Sequence, residues 1–123
     1  MTTTTDAGQI TIGGELRVSR LGYGAMQLTG EQVWGPYPDH DHAIAVLRGV
    51  VDAGVTLIDT ADVYGPHENE LLIRDALHPY PEDLVIATKG GYARSGPNKW
   101  TPDGRPEHLR SVCEGSQIGR AHV

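Results

Sequence analysis

The chain has 123 residues, with 16 acidic side chains against 10 basic ones, a formal net charge of −6 and 38% hydrophobic residues. That is the make-up of one ordinary domain or part of a larger one. The acidic balance, with no local cluster of Lys or Arg, removes the counterion release that drives nucleic-acid binding, which argues against DNA, RNA and anionic membranes as partners. A single cysteine, Cys113, can close no internal disulfide; the Thr-rich stretch Met1–Gln9 lacks an apolar signal-peptide core, and no apolar run approaches the roughly 18 residues of a membrane span. A reducing, cytoplasmic setting is the expectation.

Residues 1–8 are expected to be a flexible N-terminus. The alternation Gln9-Ile10-Thr11-Ile12, then Gly13-Gly14, then Glu15-Leu16-Arg17-Val18 predicts a β-hairpin around a two-residue turn that tolerates positive φ. A short strand ending in glycines follows over Arg20–Met26, then a loop of Gly, Pro and Asp that contains Trp34. From Asp41 the apolar residues Ala43, Ile44, Leu47, Val50 and Val51 fall on one helical face, with Gly54 just past the helix end. Val55-Thr56-Leu57-Ile58 reads as a buried strand running into Asp59-Thr60-Ala61-Asp62. Helical spacing returns over Asn69–His78 until Pro79 and Pro81 stop it, and Leu84–Thr88 is the next buried strand, ending in Lys89-Gly90-Gly91. A loop through Trp100 then leads to a helix over Thr101–Arg110.

Strand ends near Gly24, Asp59 and Lys89 lie 35 and 30 residues apart, with a helix in each interval. This repeating βα unit implies parallel strands with right-handed crossovers, so every C-terminal strand end lies on one edge. The sheet is either open and doubly wound or closed as a barrel, and both architectures bind ligands on that edge. Neighbouring parallel strands are about 4.8 Å apart, which lets Asp59 and Lys89 pair in a partly enclosed mouth. Tyr64, five residues past Asp59 on the same loop, can reach the same place. A cationic Lys beside a phenol stabilises the phenolate, and a carboxylate fixes the ammonium; the combination suits a general acid that protonates a carbonyl oxygen. Taken one at a time, each residue also has an ordinary structural reading: Asp59 as a turn cap, Lys89 as a solvated strand terminus and Tyr64 as a packed aromatic.

The wording of four segments separates these readings: Leu21-Gly22-Tyr23-Gly24-Ala25-Met26, Gly54-Val55-Thr56-Leu57-Ile58-Asp59-Thr60-Ala61-Asp62-Val63-Tyr64-Gly65, Asn69-Glu70 and Ala87-Thr88-Lys89. Over residues 9–116 the chain resembles the aldo/keto reductase superfamily, within it the bacterial reductases of general oxidoreductase or pyridoxal-reductase type. The resemblance implies an α/β fold, a (β/α)8 TIM barrel whose N-terminal hairpin closes the bottom, and NADPH-dependent reduction of an aldehyde or ketone without a Rossmann fold. Of the family's catalytic Asp, Tyr, Lys and His, the first three map onto Asp59, Tyr64 and Lys89. Gly24, Ala25 and Met26, with Asp59 and Lys89, are the expected cofactor-binding residues, and Trp34 with Tyr64 the expected substrate pocket. The fourth catalytic residue lies at the end of the fourth strand, beyond this chain. A full barrel needs about 250 residues, so the hairpin and about three βα units are expected here, the third helix cut off at Ser116. Residues 117–123 lack a helical apolar face and are expected to be a non-native tail.

Other signals have plainer readings. Gly22-Tyr23-Gly24 lacks the third glycine and the immediate helix of a dinucleotide fingerprint. Asp39-His40-Asp41-His42 could suggest a metal cluster, but it directly precedes a helix, where Asp is a routine cap. His67 and His78 flank a helix without partners at ligand spacing. Trp34 either lines a pocket or covers the barrel rim, and Cys113 is expected to be a small core residue. Beside the enzyme stands one alternative, a non-catalytic NADPH-binding regulatory barrel subunit, since fold does not settle activity.

Overall fold

A computed structural model describes residues 4–120, with side chains to Gln117. The first hairpin pairs β1 (Gln9–Ile12) with β2 (Leu16–Ser19), in a register that sets Ile12 opposite Leu16. The turn therefore holds three residues, Gly13, Gly14 and Glu15, one more than the sequence suggests. Both glycines have positive φ, 62° and 80°, and the Glu15 amide closes the loop onto the Ile12 carbonyl at 3.3 Å. Part of the segment expected as a flexible N-terminus has local structure. Thr4–Ala7 form a 3-10 turn, and the Thr4 hydroxyl donates to the Ala53 carbonyl at the end of the first helix; residues 1–3 lie outside the described residues.

Three parallel strands follow in sheet order β3 (Tyr23–Gly24), β4 (Leu57–Asp59) and β5 (Val85–Ala87). All are shorter than the apolar runs that announce them. The register aligns Gly24 with Asp59 and Asp59 with Ala87, so the C-terminal ends share one edge. Helix α1 (His40–Asp52) crosses from β3 to β4 and α2 (Glu68–Leu77) from β4 to β5. The Asp39 carboxylate accepts the His42 amide at 3.0 Å, so the acidic His-containing segment begins with a helix cap. Ala43 and Leu47 of α1 and Leu72, Ile73, Ala76 and Leu77 of α2 bury against Ala25, Leu28, Ile58 and Leu84, which places the core on the helix side of the sheet.

The segment after β5 departs most from expectation. Instead of a loop and a helix from Thr101, a second hairpin pairs β6 (Tyr92–Gly96) with β7 (Lys99–Pro102), bulged between Arg94 and Gly96. Helix α3 (Pro106–Arg120) starts only after it. Pro106 suits a first helical turn, where the missing N–H has no partner to lose. The backbone stays helical past Ser116 as far as Arg120, so the third helix is not broken at the expected point; residues 121–123 of the expected tail lie outside the described residues. Cys113 is exposed, not a core residue.

Candidate active site

The shared strand edge brings Asp59, Tyr64 and Lys89 together. Lys89 Nζ donates to both Asp59 carboxylate oxygens at 2.9 Å, to the Thr60 carbonyl at 2.7 Å and to the Tyr64 hydroxyl at 3.4 Å. It also stands 5.1 Å from the centre of the Tyr64 ring. The Lys89 and Asp59 side chains are each about half exposed, at 48% and 49%, so this is the open mouth of a site and not a buried ion pair. Burial alone would push the Lys89 ammonium down; hydrogen bonding and charge from Asp59 and Tyr64 outweigh it, and its pKa stands above the ordinary value. The lysine is thus held cationic beside the phenol.

Tyr64 sits on a loop whose path is fixed from both sides. Its amide donates to the Ala61 carbonyl and its own carbonyl accepts the Asn69 amide at 3.1 Å. Gly65 follows with φ at 114°, and a side chain there would run into Glu68. Asn69 is fully buried and works as a three-way tie. Its amide nitrogen donates to the Ala25 and Leu28 carbonyls at 2.8 and 3.1 Å, and its oxygen accepts the Thr60 hydroxyl at 2.6 Å. The next residue, Glu70, is also buried and accepts from Thr88 at 2.9 Å and Ser116 at 3.1 Å, joining α2 to the end of β5 and to α3. The two residues that carried only the resemblance in the sequence are therefore the struts beneath the site. Asp62, beside them, is buried with one carboxyl oxygen lacking a hydrogen-bond partner; burial, then the neighbouring Glu70 carboxylate, push its pKa up.

A cavity of about 270 Å³ opens next to the Tyr64 and Lys89 side chains, walled by Met26, Val63, Tyr92 and Trp100 among others. Met26, expected at the cofactor, lines it. Gly24, at the end of β3, has open space where a side chain would stand. Ala25 corrects the expectation: it is fully buried, its amide donates to the Asp59 carbonyl at 2.9 Å and its carbonyl is taken by Asn69, so it belongs to the core under the site. Trp34 is corrected too. It does not line this cavity; it lies against Arg94 and bridges to Gly65, while Trp100 of the second hairpin supplies the indole in the wall. The sequence held a signal for that hairpin, the turn residues Gly96-Pro97-Asn98 between two short runs with Tyr92 and Trp100. Among the described residues there is no group of three or more His, Cys, Asp and Glu placed to hold a metal ion, and no helix long and apolar enough to cross a membrane.

Residues 20–117 match the model of the aldo/keto reductase family. Pyridoxine 4-dehydrogenase of Escherichia coli is 50% identical over 99 residues, which cover 80% of this chain and 35% of that protein. Among solved structures, a glycerol dehydrogenase from Gluconobacter oxydans superposes with a TM-score of 0.81 at 31% identity, covering 94% of this chain and 36% of that one. An aldo-keto reductase from Klebsiella pneumoniae, solved in complex with NADPH, shares the fold with a TM-score of 0.67 at 18% identity, over 99% of this chain and 37% of that one. The chain spans about a third of the length of these relatives.

Proposed function

From the premise that the chain belongs to the aldo/keto reductase family of oxidoreductases, we propose that it is the N-terminal part of an NADPH-dependent reductase that converts an aldehyde or ketone to the alcohol. The observation that carries the proposal is the Lys89 ammonium, which holds the Asp59 carboxylate at 2.9 Å and the Tyr64 hydroxyl at 3.4 Å in one mouth. The residues present fit a nicotinamide cofactor: Gly24 leaves open space at the strand edge, and the cavity beside Tyr64 and Lys89 offers apolar walls for a flat ring. NADPH, when bound, supplies the hydride. Support for NADPH comes from the cofactor bound to the Klebsiella pneumoniae relative. On this reading Gly24 and Met26, with Asp59 and Lys89, border the cofactor, supported by the open space at Gly24 and by Met26 and Lys89 on the cavity wall.

The chain's own part is proton chemistry. A carbonyl oxygen in the cavity accepts the Tyr64 proton as the carbon is reduced, and Lys89 stabilises the phenolate left behind. Asp59 holds the ammonium in reach of the phenol, and the Thr60 carbonyl takes a further N–H. Three parallel strands leave the outer edges of β3 and β5 unpaired within their sheet. Ile10, Ile12, Leu16 and Leu21 are exposed as well. By the same reading the 123-residue chain alone is inactive, a truncated piece of a cytoplasmic enzyme.

The test is oxidation of NADPH by the full-length protein with a panel of aldehydes and ketones, run in parallel with NADH. Turnover that is faster with NADPH is expected. Equal or better turnover with NADH would refute the cofactor preference, and tight NADPH binding with no turnover on any carbonyl would move the protein to the non-catalytic, regulatory class.

A further inference from the structure

Arg94 is placed in β6 directly opposite Trp100 in β7. A guanidinium has five N–H donors, and here each finds a backbone carbonyl. Nε donates to Lys99 at 2.9 Å, Nη1 to Val33 at 2.9 Å and Val63 at 3.0 Å, and Nη2 to Gln32 at 3.1 Å and Gly96 at 3.4 Å. The cation also lies 3.8 Å from the ring centre of Trp100 and 5.4 Å from that of Trp34. With every donor engaged, Arg94 has none left for a phosphate or a substrate carboxylate. Its place is to join backbone to backbone.

The carbonyls it joins come from three separate segments. Gln32 and Val33 lie in the loop between β3 and α1, Val63 immediately precedes Tyr64, and Gly96 and Lys99 flank the turn of the second hairpin. Gln32 and Val33 have φ of 57° and 56°, a left-handed backbone that costs energy in any residue but glycine and most in a β-branched one. Both strained residues have their carbonyls on the guanidinium, so the cost sits where the clamp is made. Trp100, stacked on Arg94, forms one wall of the cavity beside Tyr64 and Lys89, and Tyr92 meets its ring edge-on at 6.2 Å.

We propose that Arg94 is a positioning residue: by tying the three segments together it holds Trp100 as a fixed wall of the Tyr64–Lys89 cavity and so governs the discrimination between flat and compact carbonyl substrates. The inference rests on the reading of that cavity as a reductase site. A flat apolar group attached to the carbonyl gains from the Trp100 face and the Met26 thioether, whereas a short aliphatic one barely touches them.

The test uses the full-length protein and the Arg94→Lys variant, which keeps the charge but can neither fill five acceptors nor stack as a plane. With NADPH, kcat/KM for benzaldehyde should fall about tenfold or more, chiefly through KM, while that for propanal stays within about threefold. Trp100→Ala should shift the same ratio in the same direction, and adding Arg94→Lys to it should change the ratio little further. Hydrogen exchange should quicken together in residues 30–35, 61–65 and 92–101 of Arg94→Lys. A benzaldehyde-to-propanal ratio within about twofold of wild type in either folded, NADPH-binding variant overturns the proposal; if Arg94→Lys fails to fold, an unchanged ratio in Trp100→Ala still refutes it. A wild-type protein that reduces neither aldehyde defeats the reductase reading instead; exchange then judges the clamp, which is refuted if only one of the three segments responds.

Discussion

Replacing Lys89 by Met in the full-length protein removes the ammonium and keeps an unbranched side chain of similar reach. At 3.4 Å from the Tyr64 oxygen, a unit positive charge favours a phenolate by about 5 kcal/mol at an effective dielectric of about 20. Lys89 is half exposed, and solvent screening brings that to about 2–3 kcal/mol. At about 1.4 kcal/mol per factor of ten, kcat should fall about 30- to 150-fold. The variant also gives up the bonds to Asp59 and the Thr60 carbonyl, but Asp59 is half exposed and water can take the place of the ammonium. The melting temperature should therefore change little, which separates lost chemistry from lost fold. The assay is the decay of NADPH absorbance at saturating cofactor and aldehyde. A kcat within about threefold of wild type, in a variant that melts normally, would refute the idea that the ammonium acts on the phenol.

Tyr64→Phe keeps the ring and removes the proton, so kcat should drop about 10²- to 10⁴-fold with NADPH binding retained; turnover within about tenfold of wild type would assign the acid elsewhere. Asn69→Leu preserves volume but leaves the Ala25 and Leu28 carbonyls and the Thr60 hydroxyl without the amide. A loss of about 3–5 kcal/mol is expected, read from the denaturant midpoint, and a loss below about 1 kcal/mol would mean that the three groups find other partners. Hydrogen bonding from Arg105 holds the Asp103 carboxyl down at about 2, against an ordinary 3.8. A depressed carboxyl pKa stabilises the fold above its unfolded value, and that contribution is lost as pH falls from 3.8 through about 2. Acid titration followed by the amide exchange of residues 103–109 should show this step in wild type and not in Asp103→Asn.

The α/β framework was legible wherever one physical pattern ran unbroken. Apolar spacing on α1 and α2 and β-branched runs at β4 and β5 reflect faces buried against one core, and the offsets between Gly24, Asp59 and Lys89 place those residues on one edge by handedness alone. Asp59, Tyr64 and Lys89 could therefore be brought together from the sequence, and the structure does bring them together. The second hairpin is announced only by its turn residues, because its strands are mostly exposed and carry no clean alternation of polar and apolar residues. Choosing between Trp34 and Trp100 was beyond any local pattern, since the two indoles are sorted by Arg94, whose partners lie up to 62 residues away. Ala25 misled for a different reason: the resemblance marks a segment, while the path of the chain just past β3 buries Ala25 and leaves Met26 on the cavity.

An ammonium group has protons to give and no lone pair with which to accept one. The contact between Lys89 Nζ and the Tyr64 oxygen at 3.4 Å can therefore run in one direction only, from lysine to tyrosine. The phenol's single hydrogen is not spent on the lysine and stays available to another acceptor. Asp59 and the Thr60 carbonyl occupy further ammonium hydrogens, so the ammonium is itself held in place. Lys89 thus acts on availability as well as on charge: it takes a lone pair of the Tyr64 oxygen and leaves the phenol hydrogen for an acceptor other than itself.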